Sequence, residues 1–306
     1  MSFSEDVRTE LAGIAPAREC DRLAELSALF HFAGLLHLLG RGEVSLHLDL
    51  SSPSAARRAF ALLRTFGVRS EIRTYQRHAF GRETRYQLHV EGGPAVLDVL
   101  QQAGVVDQRS RPLDRPPKRV VSRSCCRGAY VRGALLASGS VSPPPSPHLE
   151  VRSETREGAE AVAAAAAAEG GELRVRERAD HALAYAKGID RIAGVLAAAG
   201  ASEAALALQE RAVLGSTRAR ANRLANADHA NVVRAVGAAR AQLEAVRRLE
   251  RRGRLEELSP PLREIAGLRL RHPSLSLREL AAKCDPPASK SATHRRLRAL
   301  VRLSRR

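Results

Sequence analysis

No apolar run in the chain approaches the ~20 residues that a membrane span requires, so no segment is expected to cross a bilayer. Cysteine is scarce: Cys20, Cys125, Cys126 and Cys284 are the whole complement of the 306 residues. None stands in a CxxC pair or near a histidine at zinc-site spacing, which argues against a zinc module and for no bound metal. The adjacent Cys125 and Cys126 read either as redox-active thiols or, preferably, as buried small residues on a helix. A reducing compartment suits this usage. The opening Met1-Ser-Phe-Ser-Glu-Asp6 has neither the basic nor the apolar region of a signal peptide, and a cytoplasmic location is expected. Lysine is nearly missing too: Lys118, Lys187, Lys283 and Lys290 are its four occurrences among 50 Lys+Arg.

What is present points to a folded, cationic protein. Hydrophobic residues make up 44% of the chain, enough to bury a core rather than to leave a disordered tail. Fifty cations against 33 acids give a net charge of +17 and a pI near 11.1. Such a surplus favours a polyanionic partner, nucleic acid first and an anionic membrane surface second. Because arginine and alanine enrichment is also what G+C-rich coding produces, the placement of the cations carries more information than their sum.

Along the chain, Ser2 and Glu5 stand at capping-box spacing and open a short helix over 2–11. Leu23, Leu26, Leu29, Phe30, Leu35 and Leu36 keep helical period over 22–39, ahead of Gly40 and Gly42. Val44, Leu46, Leu48 and Leu50 then alternate with Ser45, His47 and Asp49, the pattern of a half-buried strand. A helix over 54–66, strands over 68–77 and 84–91 and a helix over 93–103 follow. After the proline-broken basic stretch 108–119 the same order, α-β-α-β-β-α, returns. It comprises a helix over 124–138, a strand with Leu149 and Val151, an alanine-rich helix over 156–169, strands with Leu173 and Val175 and with Leu183 and Tyr185, and a helix over 188–199. Recurrence of a whole element order indicates an internal duplication. Its anchor is a glycine pair on each first helix, Gly34 and Gly40 matching Gly133 and Gly139. Ala129, Gly133 and Ala137 form a small-residue face at helical spacing, suited to close approach of two backbones.

Phe32-Ala-Gly-Leu-Leu-His-Leu-Leu-Gly40 and Val131-Arg-Gly-Ala-Leu-Leu-Ala-Ser-Gly139 resemble the LAGLIDADG helices of homing endonucleases. The resemblance implies two helices packed at a pseudo-twofold axis and two sheets forming a saddle, with an acid near each helix end to hold a catalytic divalent metal. This chain departs from that pattern, with His37 and Leu39 in the first copy and Leu136 and Ser138 in the second; Glu43 and Glu150 lie nearby but off the matching positions. Leucine offers no oxygen to a magnesium-type ion, so no catalytic residue is expected and cleavage is disfavoured.

The last third is helical and polar. Arg220, Asn222, Asn226 and Asn231 lie in a helical stretch although asparagine is a poor helix former. They read equally as caps where two helices meet or as contacts to DNA or a neighbouring domain. Pro260-Pro261 opens a helix that runs to His272-Pro273, Ser276-Leu-Arg-Glu279 is a capping box for a second helix, and Ser289 caps a third after the turn Cys284–Ala288. Three short helices with a tight turn before the last make a helix-turn-helix. From Ser289 to Arg306 stand seven cations and no acid. The candidate DNA-binding residues are Ser276, Ser289, Lys290, Ser291, Thr293, His294, Arg295, Arg296 and Arg298, with the first turns of the third helix expected to be exposed. Arginine can read guanine bidentately, whereas Lys and Ser more often hold phosphate.

Taken over its full length the chain resembles the WhiA family, through Met1-Ser-Phe-Ser-Glu-Asp-Val7, the Cys125–Ser142 stretch, the Asn222, Asn226 and Asn231 segment, and Leu262-Arg-Glu264 with Pro286-Pro-Ala-Ser-Lys-Ser291. The resemblance implies an α+β fold: a duplicated LAGLIDADG-like saddle followed by an all-α helix-turn-helix. The implied divisions are an N-terminal helix 1–20, repeat one 21–107, a basic linker 108–123, repeat two 124–202, a helical connector 203–256 and the helix-turn-helix 257–306. The alanine-rich 159–169 and Pro143–Pro147, where the first strand of the second copy is expected to begin, depart from the pattern. The function implied is non-catalytic, sequence-specific DNA binding with transcriptional control, tied to sporulation, cell division and chromosome segregation. A nucleoid or division scaffold is the alternative, and an active endonuclease the least favoured. Double-stranded DNA is the expected partner in a nucleoid-associated location, and a sigma factor or other transcription protein is a candidate second partner. No cofactor, membrane or small-molecule substrate is expected.

Overall fold

The computed structural model describes residues 2–40, 43–77, 83–90 and 92–305, and the chain divides into two compact units, 1–216 and 217–306. The first unit opens with α1 (Phe3–Gly13), started by Ser2, whose hydroxyl accepts from the Glu5 N–H. Repeat one follows as α2 (Glu19–Ala33), β1 (Gly34–Gly40), β2 (Glu43–Leu50), α3 (Pro53–Thr65), β3 (Ser70–Arg77), β4 (Glu83–Val90) and α4 (Pro94–Gln102). A single 3-10 turn, Lys118–Val121, leads into repeat two: α5 (Ser124–Ser138), β5 (Gly139–Ser142), β6 (His148–Ser153), α6 (Arg156–Ala167), β7 (Arg174–Glu177), β8 (Ala182–Lys187) and α7 (Ile189–Ala199). Each repeat builds one antiparallel four-stranded sheet, ordered β1-β2-β4-β3 and β5-β6-β8-β7. The alternation expected in β2 holds, with Leu46, Leu48 and Leu50 buried against the helices.

Three expectations need correction. The helix expected over 22–39 stops at Ala33, and 34–40 instead pairs as a strand with β2, Leu36 opposite Leu46. A short apolar run such as Leu35-Leu36 fits helix and strand equally well, and the available edge of β2 decides the outcome. Pro143–Pro147 is likewise no strand start but lies in the connection between β5 and β6.

The third correction concerns the register of the duplication. α2 and α5 have equal length and end alike. Gly34 donates to the Phe30 carbonyl and Gly139 to the Leu135 carbonyl, and both then turn extended. A Cβ would lie 2.5 Å from that same carbonyl oxygen in each. Gly34 therefore matches Gly139, not Gly133, and Leu26–Gly34 is the true counterpart of Val131–Gly139.

The small-residue face of α5 does what its spacing implies. Ala129, Gly133 and Ala137 are buried, and a Cβ at Gly133 would collide with the Glu25 carbonyl and sit 2.8 Å from the Ala28 Cβ. α2 and α5 thus touch backbone to backbone. Inside the contact, Glu25 is 0% exposed. It accepts from Arg58 Nε and Nη2 at 2.7 and 3.1 Å and from Arg132 Nε at 2.9 Å, while Arg132 Nη1 also donates to the Ala199 carbonyl. One carboxylate so joins α2 and α3 of repeat one to α5 and α7 of repeat two. α1 adds further ties: Arg8 donates to the Gly139 carbonyl, Ser4 Oγ accepts from Val141, and the Glu10 carboxylate accepts from Glu203 and Ala204 at the start of α8 (Ser202–Arg251).

The second unit packs the end of α8 against α9 (Pro260–Arg271), α10 (Leu277–Ala282) and α11 (Lys290–Leu303) around Val246, Leu249, Ile265, Leu268, Leu280 and Leu297. Among the described residues no helix is long and apolar enough to cross a membrane.

Removal of the Glu25 charge leaves two guanidinia buried without their anion, so Glu25→Gln is expected to destabilise the first unit by about 3–5 kcal/mol, whereas joint replacement of Glu25, Arg58 and Arg132 by apolar residues of similar volume costs far less; urea unfolding of the three variants checks both. His31 on α2 gives a pH signature. Burial pulls its pKa down from 6.5 to about 4, against the opposing hydrogen bonds at Ser27 and Leu113 and the charge of Asp114. The unfolded chain takes up this proton first, so the stability from neutral His31 is complete above about pH 6.5 and declines as pH falls towards 4, by about 3 kcal/mol in all. Thermal unfolding across that window should show a steeper acid loss for the native chain than for His31→Phe.

Candidate nucleic-acid interface

The geometry of the last helix follows from how its neighbours are capped. Ser276 and Glu279 close a reciprocal capping box: Ser276 Oγ accepts from the Glu279 N–H at 3.4 Å and Glu279 Oε2 from the Ser276 N–H at 2.8 Å. These contacts hold the Glu279 carboxyl below its ordinary pKa. The chain then turns back through Lys283–Ser289. Cys284 is buried in the core, Ala288 donates to the Ala281 carbonyl at 2.9 Å, and Asp285 N–H donates to Glu264 Oε1 at 2.6 Å. Ser289 Oγ accepts from the Ala292 N–H and starts α11.

α11 has two faces. Thr293, Leu297, Leu300 and the following Ser304 are buried, while Ser291, His294, Arg295, Arg298, Arg302 and Arg305 are exposed. These positions recur at helical spacing, so the exposed set forms one continuous stripe opposite the core. Ser289 and Lys290 are exposed at its N-terminal end. Between Ser289 and Arg305 there is no carboxylate. Arg306 lies outside the described residues.

Two of the candidates sit elsewhere than expected. Thr293 is 0% exposed; it lies one turn before Leu297, on the buried side of α11. Arg296 is half-buried and turned to Glu264 on α9, 3.8 Å away, which also holds the turn through Asp285. Its guanidinium therefore braces α11 rather than extending the stripe. Ser276 is exposed at the head of α10 with its hydroxyl engaged in the cap.

In this unit Arg269 escaped the sequence reading. Arg269 on α9 is 2% exposed and donates to Gln242 Oε1 of α8 at 2.9 Å and to the carbonyls of Pro273 and Leu275 at 3.2 and 2.8 Å. Burial lowers its pKa from the ordinary arginine value. It fixes the bend between α9 and α10. The only trace in the sequence is its place one residue after Leu268, on the apolar side of a helix.

Arg220, Asn222, Asn226 and Asn231 are all exposed on α8. That helix is unbroken through them, so they cap no helix boundary. Asn222 and Asn226 share one face a turn apart, whereas Asn231 points elsewhere around the helix and accepts from Arg234 Nη2 at 2.5 Å.

The outer face of the first sheet is different in character. Asp49, Glu71 and Glu83 stand among Arg73, Arg77 and Arg85, with Asp49 bonded to Arg85 and Tyr75, and Glu71 to Arg73. Burial above all, and then the Asp49 carboxylate, raise the Tyr75 pKa from its usual value, against the opposing pull of the Arg85 guanidinium. Positive and negative side chains are thus matched across this surface. At the ends of α2 and α5 a cavity of about 640 Å³ opens, lined by Ala33, Gly34, Ser138, Gly139, Asp49 and Asp180 among others. With the corrected register, Ala33 and Ser138 immediately precede the two cap glycines, so Ala33 replaces Leu39 as the position to compare with Ser138.

Comparison with known proteins accounts for the whole chain. Residues 19–106 match the WhiA N-terminal LAGLIDADG-like domain, 127–218 the WhiA LAGLIDADG-like domain and 221–304 the WhiA C-terminal HTH domain. A protein of Symbiobacterium thermophilum named "Probable cell division protein WhiA" is 38% identical, over 99% of this chain and 98% of its own length. A protein of the same name from Heliobacterium modesticaldum is 35% identical over 99% and 96%. Among solved structures, full-length WhiA from Thermatoga maritima superimposes with a TM-score of 0.59 at 21% identity, covering 100% of this chain and 98% of that one. An N-terminal LAGLIDADG domain of WhiA gives 0.52 at 19% identity over 65% and 90%. Two LAGLIDADG-like repeats ahead of a helix-turn-helix, matched from end to end by close relatives, place this chain in the WhiA family.

Proposed function

We propose that the chain is a sequence-specific double-stranded DNA-binding protein that controls transcription and has no nuclease activity. The observation that carries this reading is the exposed, carboxylate-free stripe of α11, Lys290, Ser291, His294, Arg295, Arg298, Arg302 and Arg305. A helix-turn-helix lays such a stripe in the major groove. There Arg295 and Arg298 suit base edges and flanking phosphates, Lys290, Ser289 and Ser291 hold the backbone at the helix start, and Ser276 meets phosphate at the head of α10. Arg296 and Thr293 keep α11 in place behind them. Arg220, Asn222 and Asn226 on α8 form the proposed secondary contact surface, with Asn231 outside it.

Absence of cleavage rests on the residues at the axis. Where the endonuclease pattern has acids, Ala33 and Ser138 offer one hydroxyl between them, and the nearby Asp49 and Asp180 are tied to Tyr75 and Arg85 and to His181 and Arg152. A link to cell division comes from the names of the relatives. It leaves room for a second reading, a DNA-binding division scaffold without gene control, and both place the protein on the nucleoid.

Chromatin immunoprecipitation separates the two: the regulator gives discrete promoter peaks with altered transcripts on deletion, the scaffold diffuse coverage. On fragments under such peaks, about six phosphate contacts give a log K against log salt slope near −5. Arg295→Ala with Arg298→Ala is expected to weaken binding and reduce the slope by about 2. An unchanged slope in an anisotropy titration refutes the assignment to α11. Purified protein with supercoiled plasmid and Mg²⁺ or Mn²⁺ should leave it intact.

A further inference from the structure

The N-terminal ends of α2 and α5, opposite the ends that meet the cavity, bring together four side chains that no sequence spacing connects. Cys20 and Asp21 lie in the first turn of α2, Cys125 and Cys126 in the first turn of α5. In the register that matches Gly34 to Gly139, Cys20 is the counterpart of Cys125 and Asp21 of Cys126, so each helix of the pseudo-twofold pair supplies two. One ligand-type atom from each of the four lies within 4.8 Å of all the others. We propose that this quartet is a structural Zn²⁺ site, with the three thiolates and the Asp21 carboxylate as its ligands.

Distances and chemistry agree. With zinc–sulfur bonds of about 2.3 Å, the edge of a tetrahedron is about 3.8 Å, and the Cys125 and Cys126 sulfurs are 3.9 Å apart. Cys20 Sγ already donates to Asp21 Oδ1 at 3.5 Å. Three soft sulfurs favour a thiophilic d¹⁰ ion, and the one hard oxygen selects zinc over monovalent copper. A zinc ion with three thiolates and a carboxylate carries a net charge of −2. Arg18 Nη1, 3.7 Å from Cys125 Sγ, and the positive ends of both helices lie where they offset it. Cys20, Asp21 and Cys125 are half-buried and Cys126 is buried, giving the ion an entry path and a shielded seat. Binding exchanges each thiol proton for the metal, so apparent affinity falls as pH falls. Zinc here staples the two repeats at one end of their shared axis.

Tag-free full-length protein, reduced and stripped with chelator, tests this by titration with Co²⁺ and then Zn²⁺. The expected result is one equivalent of Co²⁺ with a thiolate-to-metal charge-transfer band and tetrahedral d–d bands, bleached by one equivalent of Zn²⁺, and a thermal midpoint that rises with added Zn²⁺. Cys20→Ser with Cys125→Ser should abolish the charge-transfer band, and Asp21→Asn, which keeps every sulfur, should weaken apparent Zn²⁺ affinity on the order of 10- to 100-fold. Cys284→Ser, in the other unit, should leave both unchanged. Circular dichroism confirms that each variant is folded, and Asp21→Asn remains decisive if the double serine variant is not. No charge-transfer band in the native chain, undiminished affinity in Asp21→Asn, or a Cys20–Cys125 disulfide that persists under reductant and blocks metal uptake would each overturn the proposal.

Discussion

The first unit depends on a close contact between α2 and α5 that has a charge at its centre. Gly133 lets the two backbones touch, and that proximity leaves no water for Glu25. A carboxylate so placed must be paired, and it is paired by Arg58 and Arg132. Such a cluster need not add stability over an apolar core. What it does is make the contact specific: an axial slip by one turn would part Glu25 from Arg132. In a chain so rich in alanine, small-residue faces alone define register weakly. The buried carboxylate supplies the missing definition.

The same ambiguity explains where sequence reasoning succeeded and where it failed. Element types were legible wherever a periodic apolar pattern was bounded by a cap: Ser276–Glu279, Ser289, Pro260-Pro261 and the alternation of Leu46, Leu48 and Leu50 all stand as expected. The duplication was legible too. Its register was not, because Gly34 and Gly40 have the spacing of Gly133 and Gly139, and spacing does not say that Gly34 ends a helix while Gly133 lies within one. Leu35 to Gly40 hydrogen-bonds to β2, a partner that local pattern cannot announce. The buried charges were missed for a related reason. Glu25, Arg132 and Arg269 look like solvated residues until tertiary partners at distant positions are known, and the only local hint is a charge set next to Leu26, Val131 or Leu268 on an apolar face.

In the candidate interface the outward side of α11 was legible from charge and helix phase, which fix Ser291, His294, Arg295 and Arg298 on one stripe. Phase also moves Thr293 to the inside, since it precedes Leu297 by one turn and Leu300 by two. Arg296 is a subtler case. By phase it flanks the stripe, and only Glu264, contributed by α9, draws it aside. The consequence is a division of labour among adjacent arginines. Arg295 and Arg298 are free to meet an anion, while Arg296 joins α9 to α11 and, through Glu264, to the turn at Asp285 that orients the helix.

Net charge alone would have assigned DNA binding to any part of this chain, and the structure argues against so even a distribution. On the outer face of the first sheet, Glu71 neutralises Arg73, and Asp49 and Glu83 neutralise Arg85, at contact distance. A phosphate approaching there must compete with carboxylates already in place, and its gain from displacing counterions is correspondingly small. Along the exposed stripe of α11, Arg296 aside, no such ion pair is formed among the described residues, and its cations keep mobile counterions that a polyanion can release. An arginine surplus inherited from coding bias would scatter over the surface and leave pairing to chance. Arginines paired on the sheet and arginines left without an ion pair on a single helix stripe are instead a pattern in which attraction for a polyanion is concentrated on one helix face.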